Sequence, residues 1–383
     1  MPPTVRSKLP DVGTTIFTVM SARAAEVGAI NLSQGFPDFA VPEALREALA
    51  RHVHAGQNQY APMAGVLALR EQVAASVLRH HGRRVDPVEE VTVVPGATEA
   101  IFCAIMASVM PGDEVILFDP AYDSYEPSVR MAGGRAVRIP LQPPAFRIDW
   151  QRVKEALNPR TRLIVINTPH NPTGSMLDAA DLDALEELLS HSDALLLSDE
   201  VYEHLVYDGR RHLSVLSRPA LAERAFAVFS FGKTFHATGW KTGYCVAPPV
   251  LTTEFRRVHQ FVTFVAVTPI QHALADFMRD HPEHIAGLGA FYQAKRDFFC
   301  DAIAGSGWQG ARASGSFFQL LDYSRIADVP DTEMAERLVR DHGVAAIPIS
   351  VFYENPPHMR LLRFCFAKQE QTLSRGAERL LAL

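Results

Sequence analysis

Two amines are the first residues in this chain that could do chemistry. Lys233 and Lys241 lie in the stretch Ser230-Phe-Gly-Lys-Thr-Phe-His-Ala-Thr-Gly-Trp-Lys-Thr-Gly-Tyr244. An amine attacks a carbonyl when something keeps it deprotonated, and a second cation nearby either lowers its pKa or holds an anion. A pair of surface lysines beside glycines is the other reading of this stretch, because lysine is mostly exposed. Further polar residues recur directly after short apolar runs: Gly96-Ala97-Thr98, Tyr122, Asn171, Asp199 with Tyr202, and Ser230 with Lys233. At Gly96-Ala97-Thr98 a helix start offers free N–H groups and a dipole to a phosphate, or Thr98 is an ordinary cap. Asp199, after Leu195-Leu-Leu-Ser198, needs a partner: a protonated ring nitrogen, or a protein cation or helix end. Tyr122 either stacks on a flat ring or packs as a loop aromatic. In His170-Asn-Pro-Thr-Gly174 the proline and glycine are turn residues, which leaves Asn171 with spare hydrogen-bonding capacity. Arg363, inside Leu361-Leu-Arg-Phe-Cys-Phe366, calls for an anion, either a ligand carboxylate gripped by two bonds or a structural ion pair. A phosphate cradle, an aromatic stacker, a carboxylate for a ring nitrogen and a lysine for an aldehyde are together the needs of pyridoxal 5′-phosphate. Neither G-x-G-x-x-G nor a Walker A motif is present.

These residues must be carried by a scaffold, and the apolar pattern supplies one. Seven runs read as strands: Val91–Val94, Glu114–Phe118, Arg135–Ile139, Arg162–Ile166, Ala194–Ser198, Ala225–Phe229 and Thr242–Val246. Most are continuously apolar, as strands covered on both faces are, and helical segments such as Ala179–His191 lie between most of them. The pattern predicts an α/β fold with a mainly parallel seven-stranded sheet, whose ligands bind beyond the carboxyl ends of the strands. After residue 250 a long helical region spans about 252–304. The runs Gly315–Leu321 and Arg360–Phe366 then suggest a smaller α+β unit. With 383 residues, more than one core is expected. The division predicted is an arm and part of the small domain at 1–40, a large cofactor-binding domain at 41–280 and a small C-terminal domain at 281–383.

Charge and composition exclude several functions. A formal net charge of −6 leaves no basic footprint for nucleic acid or anionic lipid. The four cysteines, 103, 245, 300 and 365, show no C-x-x-C pairing, so no disulfide frame and no metal centre is expected, in a reducing, cytoplasmic setting. Met1–Pro10 has no apolar segment of a secretion signal, and no run reaches the length of a membrane span.

The motifs Asn31-Leu-Ser-Gln-Gly-Phe-Pro37, Asn58-Gln-Tyr-Ala-Pro62, Asn171-Pro-Thr-Gly174, Ser198-Asp-Glu-Val-Tyr202, Ser230-Phe-Gly-Lys233 and Arg363-Phe-Cys-Phe-Ala-Lys368 resemble those of class I/II aminotransferases of the pyridoxal phosphate fold type I. The resemblance covers nearly the whole chain. Phe118–Tyr125 and Thr238–Val246 are similar to the methionine aminotransferase and kynurenine aminotransferase (glutamine transaminase K) branch. It implies that Lys233 bonds the cofactor aldehyde and carries protons, that Asp199 pairs with the pyridine nitrogen, and that Tyr202 and Asn171 bond the ring hydroxyl. Gly96, Ala97, Thr98, Ser230 and Lys241 would hold the phosphate, and Tyr122 would stack on the ring. Many members carry arginine where this chain has Lys241, which supplies charge without a two-pronged fork. Arg363, Asn171 and the Gly35 backbone would grip the substrate carboxylate. Tyr60 and Phe264 would reach the partner's site across a homodimer with shared active sites. Ile16, Phe17 and Tyr125 are expected as pocket walls. No motif places a second arginine, which favours methionine and aromatic L-amino acids as donors to a 2-oxo acid. The alternatives on the same site are cysteine-S-conjugate β-lyase and kynurenine–oxoglutarate transaminase activity. A ligand-sensing regulator would need a DNA-binding domain for which the N-terminal segment is too short. Gly232, Gly239 and Gly243 are expected to let backbone approach the cofactor.

Overall fold

All seven predicted strands form one sheet in the computed structural model, which describes residues 6–383. The first five residues of the predicted arm lie outside that range. Across the sheet the order is Val91–Val94, Gly243–Val246, Ala225–Ser230, Leu195–Asp199, Thr161–Asn167, Glu114–Asp119, Arg135–Pro140. Five neighbouring strands pair in parallel, while Gly243–Val246 runs antiparallel to both of its neighbours. The cause lies in the link from Ser230 to Gly243. It holds only the short helix Phe231–Thr234 and a 3₁₀ turn at Thr238–Trp240, too little for the crossover that a parallel return requires. The chain therefore turns back at once. Gly243 lies opposite both Val94 and Ser230. That register delivers the end of one strand, the start of the next and the end of a third to a single edge.

Side chains of the sheet alternate between two apolar layers. Val91, Val93, Phe229 and Tyr244 face one layer, and Val94, Val228 and Cys245 the other. The apolar helix Ala97–Ser108 buries itself against the second layer beside the helix Pro249–Val262. The long helical region of the sequence is in fact three helices, Pro249–Val262, Thr268–Asp280 and Pro282–Ala302, each with proline in its first turn, where a missing N–H costs nothing.

A separate core gathers around the antiparallel strands Ile347–Pro348, Leu361–Cys365 and Phe318–Asp322. The predicted run beginning at Gly315 enters this sheet only at Phe318. Met20 and Ala24 of the helix Ile16–Val27 join this core, as do Leu288, Tyr292 and Phe299 of Pro282–Ala302. Ile30–Asn31 pairs with Val344–Ala345, so the N-terminal segment is tied to the C-terminal part of the chain. Among the described residues no helix is long and apolar enough to cross a membrane.

Candidate active site

The strand ends open into a cavity of about 240 Å³. One wall is the start of Ala97–Ser108. Its cap is Gly96, at φ 85°, with no side-chain bond; Thr98 does not cap it. The Gly96 carbonyl accepts from Glu99 and Ala100, and among the described residues the Ala97 and Thr98 amides find no acceptor. Lys241 reaches this spot, because a Cβ on Gly96 would meet the lysine Nζ at 3.3 Å. Ser230, Thr238 and Thr242 add hydroxyl-bearing residues to the same lining. Two free amides on a helix axis, an ammonium and hydroxyls form a site for a doubly charged oxyanion.

Lys233 sits in the middle. Its Nζ donates to the Gly35 carbonyl at 2.9 Å and lies 5.6 Å from the centre of the Tyr202 ring. Burial, with the charges of Lys241 and Arg363, lowers its pKa to about 8. A neutral amine is thus within easy reach, which is what nucleophilic and general-base work require. Asp199 ends its strand at the cavity. Tyr125 donates to its Oδ2 at 2.6 Å and the Val201 amide to its Oδ1 at 3.3 Å. Burial pushes its pKa up to about 6. Among the described residues its side-chain partners are the Tyr125 hydroxyl and the Val201 amide, with no lysine or arginine in an ion pair, so the carboxylate retains capacity for a cation from outside.

Arg363 is buried to 1% exposure, and among the described residues no carboxylate pairs with it. It donates to Asn171 Oδ1 at 2.7 Å and to the Ser33 carbonyl at 2.8 Å, its Nε has no partner, and its plane lies 3.9 Å from the centre of the Phe318 ring. Burial lowers its pKa to about 10. The structural ion pair is therefore not what this arginine makes. Asn171 is placed in turn by Asn167, whose Oδ1 accepts the Asn171 amide at 2.8 Å while its Nδ2 donates to the Asp199 carbonyl at 2.8 Å.

Of the residues expected from sequence, Gly35, Gly96, Ala97, Thr98, Tyr122, Asn171, Asp199, Tyr202, Ser230, Lys233, Lys241, Arg363 and Phe17 all line this cavity. Tyr125 does not. Expected as a pocket wall, it stands behind Asp199 and spends its hydroxyl there. Ile16 packs into the second core rather than the cavity. Tyr60 and Phe264 lie elsewhere on this chain as an edge-to-face pair at 5.5 Å, with Tyr60 83% exposed. Of the three glycines expected near the cofactor, Gly232 lines the cavity. A Cβ on Gly243 would meet the Phe229 carbonyl at 2.5 Å and one on Gly232 would meet Thr238, while Gly239 faces open space. Gly232 and Gly243 thus each lie against neighbouring protein backbone as well. Sequence reasoning missed Asn167, Gln34, Ile101, Val201, Thr238, Thr242 and Phe318. Asn167 and Val201 stand at strand ends, where the same search would have found them; Phe318 and Gln34 arrive from distant segments with no local signal. Near the cradle, Glu99, Cys103 and His259 have metal-ligand types within 4.8 Å of one another, but one Glu99 oxygen already accepts from Cys103 at 3.1 Å and bonds His259 at 2.7 Å.

A sequence profile of the family described as Aminotransferase class I and II matches residues 27–380. The chain is 52% identical over 375 residues to the methionine aminotransferase of Escherichia coli K12, covering 98% of this chain and 97% of that protein. It is 34% identical over 389 residues to kynurenine–oxoglutarate transaminase 1 of Mus musculus, covering 93% and 92%. An Escherichia coli protein whose crystal structure and reactivity identified a methionine aminotransferase function superposes with a TM-score of 0.98 at 51% identity, over 100% of both chains.

Proposed function

Because the chain belongs to the class I and II aminotransferases and has their fold type I architecture, we propose that it moves the amino group of methionine and other large apolar or aromatic L-amino acids to a 2-oxo acid. Its cofactor in this reading is pyridoxal 5′-phosphate. One observation carries it: a buried amine with a pKa near 8, a buried carboxylate without a cation and a helix start with free amides converge on one cavity. The donor set suits the cofactor. Ala97, Thr98, Ser230 and Lys241 would hold its phosphate, Asp199 its ring nitrogen, Tyr202 and Asn171 its hydroxyl, and Tyr122 its ring face. When bound, the cofactor supplies an electron sink for the charge left at the substrate Cα.

The chain's own residues do the rest. Arg363 and Asn171 bind the substrate carboxylate and fix the Cα–H bond toward Lys233. Arg363 Nε, otherwise without a partner, gains one there. Lys233, whose amine burial brings close to neutrality, would take the Cα proton and return it to the C4′ carbon of the cofactor. The Asp199 carboxylate keeps a cationic nitrogen protonated, which helps the transition state more than the ground state. Phe17, Ile101, Val201 and Phe318 supply apolar lining, and among the described residues its cations are Lys233, Lys241 and Arg363, which supports apolar over dicarboxylate donors.

In this reading Tyr60 and Phe264, exposed on one protomer, complete the site of its partner in a homodimer. The chain divides into a large domain at 41–280 and a small one at 281–383, with 1–40 as arm and part of the small domain; the second core's use of Ile16–Val27 and Pro282–Ala302 supports that division. The four unpaired cysteines support a cytoplasmic setting. A panel of amino donors, followed by the spectral change of the bound cofactor, tests the proposal. Methionine and phenylalanine convert it rapidly and aspartate slowly; preferential conversion by aspartate overturns the donor assignment. Kynurenine belongs in the same panel, because one relative is named for it.

A further inference from the structure

The turn that carries Asp199 and Tyr202 into the cavity builds a second cluster on its other side, one that the reaction does not use. Glu200 and Glu203 alternate with the site residues and are buried. Glu200 accepts from Ser198 at 2.8 Å and from the Val215 amide at 3.1 Å, and bonds His212 at 2.7 Å. Glu203 bonds His81 Nε2 at 2.7 Å and accepts from the Tyr244 hydroxyl at 3.0 Å, with His204 3.4 Å away. Both oxygens of each carboxylate are taken, so this is framework and not a vacant ligand site.

What the framework joins is specific. Glu203 follows Tyr202, whose ring faces Lys233. Its partner Tyr244 follows Gly243, where a Cβ would lie 3.2 Å from the Ala97 amide nitrogen of the cradle. His81 closes the helix Leu67–His81. We propose that Glu203, held by His81 and Tyr244, is a positioning residue for cofactor binding: it fixes the turn bearing Tyr202 to the strand that backs the Ala97 amide, although it touches neither cofactor nor substrate. The inference rests on the pyridoxal phosphate reading above.

The charges give it a pH signature. Burial opposes the Glu203 carboxylate, but His204 and the His81 bond outweigh it and hold its pKa well below the usual range. Burial opposes the His81 cation too, and Glu203 outweighs it and raises that pKa. The carboxylate's share of the stabilisation is complete above the ordinary glutamate value and lost as pH falls through its lowered one. The imidazolium's share is complete below the ordinary histidine value and lost as pH rises through its raised one. The pair is therefore intact in mildly acidic solution and loosens on the alkaline side. The other groups that face it are His204, with its pKa near 4, and Glu200 on the turn, His80 on the helix, Arg211 and His212 on the following loop, and Tyr244.

The test titrates cofactor-free protein with pyridoxal 5′-phosphate between about pH 6 and pH 9.5. Glu203→Gln keeps the shape and removes the charge; Tyr244→Phe removes a single bond and serves if the first variant fails to give a native circular dichroism spectrum. Wild-type affinity falls on the alkaline side relative to Glu203→Gln, once the rise that deprotonation of Lys233 gives to both proteins is divided out. Glu203→Gln weakens binding at the acidic end by about tenfold to a hundredfold. At saturating cofactor, KM for the amino donor and kcat change far less. Cofactor affinity in Glu203→Gln or in Tyr244→Phe within about twofold of wild type, with the wild-type pH profile, overturns the assignment even if melting temperatures drop. A wild-type protein that does not take up pyridoxal phosphate overturns the underlying reading, and this inference with it.

Discussion

Two arginines of this chain are equally buried, each at 1% exposure, yet they live in opposite circumstances. Arg296 meets Asp208 through both terminal nitrogens, at 2.7 and 2.6 Å, and adds Asp297 and the Ala313 carbonyl. Its pKa is raised even though burial works against it, because Asp208 and Asp297 outweigh the lost hydration. Arg363 meets only neutral oxygens and an aromatic face, keeps one nitrogen unpartnered, and has its pKa lowered. A buried charge without a counter-charge costs stability unless something else repays it. Arg296 is repaid by the protein. Arg363 is left for a ligand to repay, and the same holds for Asp199, whereas the two carboxylates beside it at Glu200 and Glu203 are fully matched.

Substitutions can break this contrast. The largest effect is expected at Arg363→Ala. Losing a desolvated carboxylate clamp costs about 2–5 kcal/mol of transition-state binding, or roughly thirtyfold to several thousandfold in kcat/KM. The melting temperature should hold or rise, since an uncompensated charge leaves the interior. Arg296→Ala should do the reverse. It takes the buried guanidinium from Asp208, leaves Asp297 with Arg312 alone, and opens a gap in the packing, and so destabilises by about 1–3 kcal/mol in a denaturant titration, while the folded fraction keeps its kcat/KM. If both variants lost activity and stability in parallel, the distinction would fail. Arg363→Lys keeps the charge without the fork. Donor KM should rise by about tenfold, with kcat lowered less. Asp208 is half exposed, so Asp208→Asn should cost only about 1 kcal/mol or less.

The same unrepaid burial sets the Lys233 amine. In cofactor-free protein its acylation by an amine reagent, read by peptide mass spectrometry, should climb as pH rises through about 8. Ordinary lysines follow only near pH 10.4. Since the folded-state value is depressed, the folded protein also gains stability as pH rises between those two values. Acylation of Lys233 that tracked the ordinary lysines would mean the amine is hydrated.

Much of this was legible in the chain. Strands covered on both faces leave continuous apolar runs, and the residue after each run inherits the carboxyl edge, so Asp199 and Ser230 are legible by position, and Asn171 by the turn that follows its strand. What could not be read was set by distant segments. Phe318 comes from another core to lie under Arg363, and Ser33 offers its carbonyl from a loop some 330 positions away. Tyr125 was misplaced because loop residues give no direction; only the folded chain reveals that it points at the back of Asp199. The tight fit at Gly243, against the Phe229 carbonyl and the Ala97 amide, is also set by segments far apart in the chain. The antiparallel return of Gly243–Val246 follows from the short link before it, a constraint that apolar periodicity does not register.

That return strand also dates the cradle within the life of the chain. Val94 leaves the ribosome early, but it is hydrogen-bonded into the sheet through Gly243. At about 5–20 residues per second, some seven to thirty seconds of synthesis separate the two. Until then the Ala97 amide lacks its backing and Lys241 does not exist, so no phosphate can be gripped. In the reading proposed above, the cofactor would therefore not guide the early sheet; it would select chains that have already closed it.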